Sequence, residues 1–307
     1  MIRRFLNKVE SIYKYKYFAN NEKGAYNFLL DKIYKSTDIN FIENCLQLDY
    51  FREILIPQEF KIPQNKNILV LAPHQDDEII GCGGTILKLL KNNNKLTIGF
   101  LTNGAELSNP LDSIKIRHKE AKKVCNDLGC KMLELGLDNI SMNVTDNHLK
   151  VLVEWIKKDW DYIFTIWPLD QPPKHRLCSY IIGKICSELE FDKRILFYAV
   201  HTDLLPNFYV DITDEINTKQ DLLKNYTSQL MHQRYDHMSK GLDAWRSRFL
   251  QNSNKERYIE TFTYVSSKSF KDFNAIYEKT PLNNLFKGNR VCIRSFKKLI
   301  KQNIIMN

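Results

Sequence analysis

Residues 67–84 of this 307-residue chain read Asn-Ile-Leu-Val-Leu-Ala-Pro-His-Gln-Asp-Asp-Glu-Ile-Ile-Gly-Cys-Gly-Gly. The apolar run at 67–71 predicts a buried strand, and a helical pattern follows from Gly83 to Leu90. A burst of polar side chains lies between them, where the strand ends. In open parallel α/β sheets, ligands bind at the carboxyl ends of the strands. This order predicts an α/β fold with a functional site in the polar loop.

The polar side chains of this loop suit metal chemistry. His74 and Asp77 offer an imidazole and a carboxylate as ligands, and Asp76 between them offers an unligated base. A solvated acidic turn with a helix-capping Asp explains Asp76 or Asp77 alone, but it does not explain His74. The stretch therefore predicts a metal-dependent hydrolase.

The rest of the core alternates strands and helices. Apolar runs predict further strands near 96–102, 131–135, 162–167 and 194–200. A helix near 145–158 places Leu149, Leu152, Val153 and Ile156 on one apolar stripe. This alternation predicts a Rossmann-like, mostly parallel sheet with helices on both faces. Beyond Asp214 the pattern becomes helical.

The 74–84 segment resembles the signature of the PIG-L/LmbE-like zinc-dependent N-deacetylases, which more often have Pro where this chain has Gln75. The resemblance covers about 67–265 and rests on an ordered set of motifs rather than on any single one. Those motifs are Leu101–Gly104, Arg117, Glu120, Leu128-Gly129, Leu135–Leu137, Val210–Thr213, Lys219, Ser228-Gln229 and Glu260–Phe262.

The resemblance implies a third metal ligand and a reaction. In the family a His-x-x-His motif follows a later strand, and His175 matches its second, ligating His. The implied site is one zinc ion held by His74, Asp77 and His175, with Asp76 as general base. Two imidazoles and one carboxylate leave a coordination position open, as in catalytic zinc sites. The implied reaction removes the N-acetyl group of an amino sugar, which is free, nucleotide-linked or lipid-linked.

The first His of that motif is absent, because Pro172 occupies its position. A deacetylase needs a donor facing the developing oxyanion, and Pro172 donates nothing. The candidate substitutes are Lys174, Arg176 and His201. We place His201 first because it follows the strand Ile195–Val200, whereas Lys174 and Arg176 also stand as substrate-binding candidates. A surface loop histidine is the competing interpretation of His201.

Two further charged residues have alternative interpretations. Glu78 either receives an imidazole N–H and fixes a ligand tautomer, or is a helix N-terminal acid favoured by the dipole. Arg117 either contacts substrate, as the resemblance implies, or forms a surface ion pair with Glu120 at i+3.

Two other functions remain open at this point. Pro172 fits a degenerate relative that binds carbohydrate without turnover. Asp76, Asp77 and Glu78 could instead hold Mg or Mn in a nucleotide-sugar transferase, since hard cations prefer carboxylate oxygen. His74 and His175 argue against the second alternative, because imidazole suits zinc better than magnesium.

Composition narrows the classes of protein. The chain is 43% hydrophobic and 26% charged, as in ordinary globular proteins, and no apolar run approaches a spanning length. We therefore expect a cytoplasmic protein. The net charge of +9 fits an anionic substrate or an acidic membrane surface. No nucleic-acid-binding module is recognisable.

Three parts are predicted along the chain. Residues 1–62 form an N-terminal extension, either a cap or a partner surface. Residues 63–270 form the deacetylase-like domain, and 271–307 a basic C-terminal tail. Within the tail, Arg290 to Ile305 predicts an amphipathic basic helix, which either docks on its own domain or, as the minority hypothesis, lies on anionic lipid.

Overall fold

The computed structural model describes Val9 and residues 57–189, 193–250 and 254–302. One eight-stranded sheet organises them, with the order β1-β7-β8-β6-β5-β2-β3-β4. The strands are β1 (Gln58–Glu59), β2 (Asn67–Ala72), β3 (Lys95–Thr102), β4 (Lys131–Leu137), β5 (Tyr162–Ile166), β6 (Arg194–Tyr198), β7 (Phe208–Asp211) and β8 (Ile259–Ser266).

Helices cover both faces of the sheet and enclose two apolar clusters. They are α1 (Asp77–Lys91), α2 (Pro110–Leu128), α3 (Asp146–Ile156), α4 (Pro173–Glu188), α5 (Ile216–Leu223), α6 (Thr227–Leu230), α7 (Tyr235–Arg246), α8 (Ser267–Lys279), α9 (Leu282–Leu285) and α10 (Arg290–Leu299). The predicted α/β fold with a mostly parallel sheet is confirmed.

The parallel part of the sheet brings two loops together. β2 pairs with β3 on one side and with β5 on the other, both in parallel. All residues of β2 except Asn67 are buried, as expected for a central strand covered on both faces. Because β2 and β5 are parallel neighbours, the loops after them, at 73–76 and 167–172, leave the same edge of the sheet.

The other edge is partly antiparallel, which the sequence pattern does not predict. β8 runs antiparallel to both β6 and β7, and β1 pairs in parallel with β7. β8 carries Glu260, Thr261 and Thr263 in buried positions, so its residues lack the apolar run of a central strand. β1 lies within the predicted N-terminal extension, most of which falls outside the described residues.

Helix α1 is bent near its middle. Cys82 has φ −148° and ψ 24°, which interrupts the helical path. The backbone N–H groups of Gly84 and Thr85, just past the bend, donate to the Glu260 carboxylate at 2.8 and 2.7 Å. Glu260 therefore caps the second half of α1 much as an N-cap residue would.

The glycines of the 81–84 segment lie inside this helix rather than in a turn. A β-carbon on Gly81 would come within 2.2 Å of the Tyr198 ring, and one on Gly84 within 2.7 Å of Ile212. Glycine therefore lets α1 lie unusually close to the sheet. The first half of α1 carries the polar loop's Asp77, so this close packing also fixes the loop.

A buried charged cluster joins α5, α7 and β8 behind α1. Lys219 Nζ donates to Asp243 at 2.6 Å, to Glu260 at 2.8 Å and to the carbonyl of Ile80 at 3.0 Å. All three charged side chains are almost fully inaccessible to solvent. Burial raises the pKa of Asp243 to about 6, and Lys219 opposes that rise. A buried cation is tolerated here because two carboxylates surround it.

The basic C-terminal helix, α10, docks on its own chain. Phe296 is buried, with its ring 4.5 Å from that of Tyr180 and 5.3 Å from that of Phe286. Lys298 Nζ donates to the carbonyl of Val144 at 2.9 Å. Most of the apolar face that the lipid hypothesis needs is thus occupied by the core. The predicted boundary after residue 270 falls within α8, and the domain limits stay predictions.

None of the helices in the described ranges is long and apolar enough to cross a membrane.

Candidate metal centre

Three predicted ligands converge where β2 and β5 end. His74 Nδ1 lies 3.0 Å from His175 Nε2 and 3.2 Å from Asp77 Oδ2, and His175 Nε2 lies 3.4 Å from Asp77 Oδ2. Asp77 is held in place because its Oδ2 also accepts the backbone N–H of His74 at 2.8 Å. Side chains from two loops about a hundred residues apart therefore meet at one point.

The outer contacts of the two imidazoles indicate which nitrogens carry hydrogen. His175 Nδ1 lies 2.7 Å from Asp170 Oδ2, so it carries the proton and donates. His74 Nε2 lies 2.9 Å from Asn139 Oδ1, and the Asn139 amide nitrogen donates to the Ala105 carbonyl at 3.0 Å. The Asn139 oxygen therefore faces His74 and makes Nε2 the donor.

These tautomers leave three acceptor atoms pointing at one another. The lone pairs of His74 Nδ1 and His175 Nε2 and an oxygen of Asp77 face a common centre. Such a group of acceptors repels itself unless a cation lies among them. A tetrahedral ion with ligands at about 2.0–2.1 Å separates its ligand atoms by roughly 3.3 Å, close to the observed distances. The residues present thus fit a divalent metal ion, and imidazole ligands suit zinc.

The protonation tendencies of the three groups agree with this assignment. Burial lowers the pKa of His74 to about 4, which keeps its imidazole neutral. Burial would raise the pKa of Asp77, but His175 and His74 hold it below its usual range. Although burial lowers the pKa of His175, Asp77 and Asp170 outweigh that effect and raise it. A metal ion would compete with a proton for this imidazole.

Asp76 precedes α1 in a strained backbone conformation. Its φ is 124°, a region that residues other than glycine adopt at a cost of about 1–3 kcal/mol. Its carbonyl accepts the N–H groups of Ile79 and Ile80, at 3.1 and 2.9 Å, and its own N–H donates to Glu78 at 3.1 Å. Burial and the adjacent Asp77 raise the pKa of Asp76 well above its usual range. The side chain lines the cavity beside the ligands.

Glu78 contacts neither ligand imidazole. It accepts the N–H of Asp76 and the hydroxyl of Tyr226, and burial raises its pKa to about 7. Glu78 therefore holds the Asp76 backbone, while Asp170 and Asn139 orient the imidazoles. Gln75, at the position where the family more often has Pro, donates to the Thr102 carbonyl at 3.0 Å and ties the loop to β3.

The three ligands line a cavity of about 230 Å³. Its wall is formed by His74, Asp76, Asp77, Ile80, Gly104, Glu106, Arg117, Asn139, Pro172, His175, His201, Gln229 and Tyr235. This volume lies just below the range of about 300–1,000 Å³ that is usual for small-molecule sites.

His201 lies at the cavity wall, as its position after β6 led us to expect. Its ring centroid is 5.4 Å from that of His175 and 6.0 Å from that of Tyr235. Its backbone N–H donates to Asp170 Oδ1 at 3.0 Å. His201 as a whole is exposed to solvent, as the surface-loop interpretation expects, while desolvation of its ring at the cavity, followed by the nearby His175, lowers its pKa. The same carboxylate thus anchors a metal ligand and the His201 loop.

The other predicted substrate contacts separate into two groups. Arg117 is buried and lines the cavity. Lys174 does not line it, and burial lowers its pKa. Arg176 is buried away from the cavity, where it donates to the carbonyls of Asp170 and Leu285 at 2.8 and 2.7 Å.

Sequence reasoning did not assign Asp170, Asn139 or Tyr235 a role. Asp170 was visible as an acid five residues before His175, a spacing without a recognised ligand pattern. Asn139 and Tyr235 lie in polar segments with no periodic signal, and their place at the cavity depends on long-range packing.

Comparison with known families gives the same interpretation as this geometry. Residues 69–186, which include all three ligands, match the family PIG-L, described as GlcNAc-PI de-N-acetylase. Over this segment, which is less than half of the chain, the protein is similar to the PIG-L/LmbE family. The matched segment ends within α4, so it includes neither His201 nor the antiparallel strands of the sheet.

Two similar proteins are deacetylases of diacetylchitobiose. Diacetylchitobiose deacetylase of Thermococcus kodakarensis is 28% identical over 210 residues, which are 58% of this chain and 77% of that protein. The solved N,N'-diacetylchitobiose deacetylase of Pyrococcus horikoshii has a TM-score of 0.57 and 21% identity, covering 81% of this chain and 98% of its own.

The fold also occurs with another activity. The 4-carboxy-2-hydroxymuconate hydratase GalB of Pseudomonas putida has a TM-score of 0.56 and 15% identity, covering 65% of this chain and 96% of its own. The fold alone therefore does not identify the reaction, which must be inferred from the residues of the site.

Proposed function

We propose that this protein is a zinc-dependent deacetylase that removes the N-acetyl group from an N-acetylated amino sugar. The observation that carries the proposal is the convergence of His74 Nδ1, His175 Nε2 and Asp77 Oδ2 on one point. Asp76 lines the same cavity of about 230 Å³. Carboxylate-rich magnesium sites usually lack such an imidazole pair.

A zinc ion held by these three side chains would supply an activated water and polarise the amide carbonyl. Asp76 would accept the proton of the attacking water, because it lines the cavity and is not itself a ligand. The strained backbone at Asp76, fixed by Glu78, keeps this carboxyl in one orientation. Asp76 would then return the proton to the leaving amine, which a carboxyl of raised pKa does more readily.

His201 would take the place of the donor that Pro172 lacks. Its ring lies beside His175 at the cavity wall, and Asp170 holds its backbone. A neutral imidazole still has one N–H to offer a developing oxyanion, and one such donor is worth about 3–4 kcal/mol of transition-state stabilisation. Arg117, which also lines the cavity, would contact the sugar.

The proposed substrate class comes from the relatives. Proteins similar to this chain are deacetylases of diacetylchitobiose, and the family description is a GlcNAc-PI de-N-acetylase. Either name places an acetamide on a glucosamine ring. We also propose that the protein is cytoplasmic.

The test measures acetate release from N-acetylated amino sugars together with zinc content. Asp76→Asn should keep zinc and lose most turnover, because the ligands remain and the base does not. His175→Ala should lose both zinc and turnover. His118→Ala is a matched control, since His118 is exposed and pairs with Glu134 on the surface.

An Asp76→Asn variant that releases acetate as fast as the wild type would show that Asp76 is not the general base. Wild-type protein that binds zinc but releases no acetate from any N-acetylated sugar would leave a carbohydrate-binding relative as the better description.

A further inference from the structure

Arg117 is a buried cation that makes no hydrogen bond or ion pair within the described part of the chain, although its charge opposes the rise that burial causes in the pKa of the nearby Asp76. The exposed fraction of Arg117 is only 6%. Its Nε is fully covered and has no hydrogen-bond partner there. The buried Lys219, by contrast, has two carboxylates in contact. A buried cation without a hydrogen-bonded counter-ion is costly. The described part of the chain provides no such counter-ion for Arg117, so a ligand could provide it.

Asp76 interacts with Arg117 through its charge alone, and two other acidic residues, on the same helix and at the same cavity wall, are engaged elsewhere. Glu120, one turn further along α2, accepts from Thr227 Oγ1 and from the N–H and hydroxyl of Ser228 at 2.7–2.8 Å. Glu106 accepts from Gln229 at 3.3 Å and lies 3.5 Å from His232. The alternative interpretation, an Arg117–Glu120 ion pair, is therefore not what the structure shows, and Arg117 lines the cavity together with Asp76.

The position of Arg117 is fixed by close packing. A β-carbon on Gly104 would lie 2.3 Å from Arg117 Cδ, so only glycine at 104 lets the arginine stem cross there. Gly104 also has a φ of 69°, which glycine adopts without strain. The stem is thereby held against the backbone, and its guanidinium group lines the cavity that contains the metal ligands.

Arg117 also lines a second, smaller cavity of about 140 Å³ that shares Glu106 with the first. A substituent on a sugar in the first cavity would reach Arg117 at this shared wall. Sugar hydroxyls would satisfy the guanidinium N–H groups but leave its charge uncompensated. A carboxylate or phosphate would satisfy both, and the planar fork of arginine suits either group.

We propose that Arg117 is the receptor for an anionic group, a carboxylate or a phosphate, carried by the N-acetylated sugar. This inference rests on the proposed function for the sugar part of the ligand. The charged part rests on the Arg117 guanidinium, which lines the cavity and has no hydrogen-bonded counter-ion among the described residues. The chain's net charge of +9 would also attract such a substrate over a longer range.

The experiment compares three N-acetylated sugars: neutral N-acetylglucosamine, N-acetylglucosamine 6-phosphate, and the carboxylate-bearing N-acetylmuramic acid. The kcat/KM of acetate release and the calorimetric Kd are measured for each. Wild-type protein should prefer at least one anionic sugar over the neutral one by about 10- to 100-fold, the worth of a charge-assisted hydrogen-bonded pair. Which anionic sugar gains most distinguishes a phosphate from a carboxylate ligand.

Arg117→Gln should abolish this preference, with the larger loss on the anionic sugars. Arg117→Lys, which keeps the charge but not the fork, should retain part of it. Lys115→Gln is the matched control, because it makes the same charge change two residues away at an exposed position of α2. The Tm of Arg117→Gln should not fall, since no internal partner is lost.

Equal treatment of all three sugars by the wild-type protein would overturn the inference. So would an Arg117→Gln variant that loses the same factor on neutral and anionic sugars, or one whose Tm falls with its activity. If charge-dependent binding is present without acetate release, the proposed function fails and the anion receptor stands. If acetate is released with no preference for charged sugars, the anion receptor fails and the proposed function stands.

Discussion

Asp170→Asn tests how the metal centre is oriented. Both oxygens of the Asp170 carboxylate are in use. Oδ2 accepts the N–H of His175 at 2.7 Å, and Oδ1 accepts the backbone N–H groups of His201 and Thr202 at 3.0 and 2.9 Å. Asparagine has almost the same shape but only one acceptor oxygen, so it cannot serve both sides.

Either orientation of the new amide breaks a contact. If its oxygen faces His201 and Thr202, the NH₂ group faces His175 Nδ1. The imidazole must then accept at Nδ1 and carry its proton on Nε2, the atom that faces Asp77 and His74. If the amide is turned round, its NH₂ group faces two backbone donors instead. We expect the first outcome, because it loses one charged contact rather than two hydrogen bonds.

The expected effect is a loss of zinc affinity. Outer partners of ligating histidines are worth about 10- to 100-fold in metal binding. That range corresponds to about 1.4–2.7 kcal/mol. Zinc affinity is measured by competition with a chromophoric chelator at fixed pH, on the wild-type and Asp170→Asn proteins, with thermal unfolding of each protein recorded alongside.

Asp161→Asn provides the control. Asp161 also accepts a backbone N–H, from Asn67 at 2.9 Å, but it lies before β5, at the opposite end of the sheet. It should bind zinc as the wild type does. Wild-type zinc affinity in Asp170→Asn would refute the view that this carboxylate sets the tautomer of His175.

Two further predictions concern stability. Glu260→Gln should lower the free energy of unfolding, measured in urea, by about 3–5 kcal/mol, because it weakens the buried Lys219 cluster. The control Asp221→Asn, at an exposed position, should change this free energy by less than about 1 kcal/mol. Equal effects of the two substitutions would contradict the prediction. Burial lowers the pKa of His148, whose neutral Nδ1 accepts the N–H of Thr145 at 3.2 Å. With the folded pKa below the unfolded value, this residue's stabilising contribution is present above about pH 6.5 and lost as pH falls through the folded pKa. His148→Gln should flatten that part of the pH–stability curve, and an unchanged slope would show that His148 is not responsible.

The parallel half of the sheet and the ligand set could be predicted because both depend on local pattern. β2 and β5 are short runs of buried, branched residues, and their polar loops follow directly. Once the two strands are neighbours, His74, Asp77 and His175 meet without further information. The helix bearing Leu149 and Ile156 follows from its apolar stripe in the same way.

The remaining features depend on partners far apart in the chain. β8 contains a buried Glu260 whose charge is balanced by Lys219, 41 residues earlier, so no local window marks it as a strand. Asn139 orients His74 from a loop 65 residues away. Of the two interpretations of Glu78, the structure shows the acid in the first turn of the helix, where it accepts from Tyr226 and contacts no imidazole. Side-chain direction on a short turn of helix is decided by packing, which the sequence does not display.

The bend in α1 limits how far this protein can be shortened. The segment that matches the family includes all three candidate ligands. The first N–H groups of the second half of α1, however, donate to Glu260 of β8, which lies well outside that segment. A fragment ending at residue 186 would leave the N–H groups of Gly84 and Thr85 without their acceptor and would expose an open edge of the sheet at β5. We therefore expect that the smallest independently folding unit extends at least through Ser266.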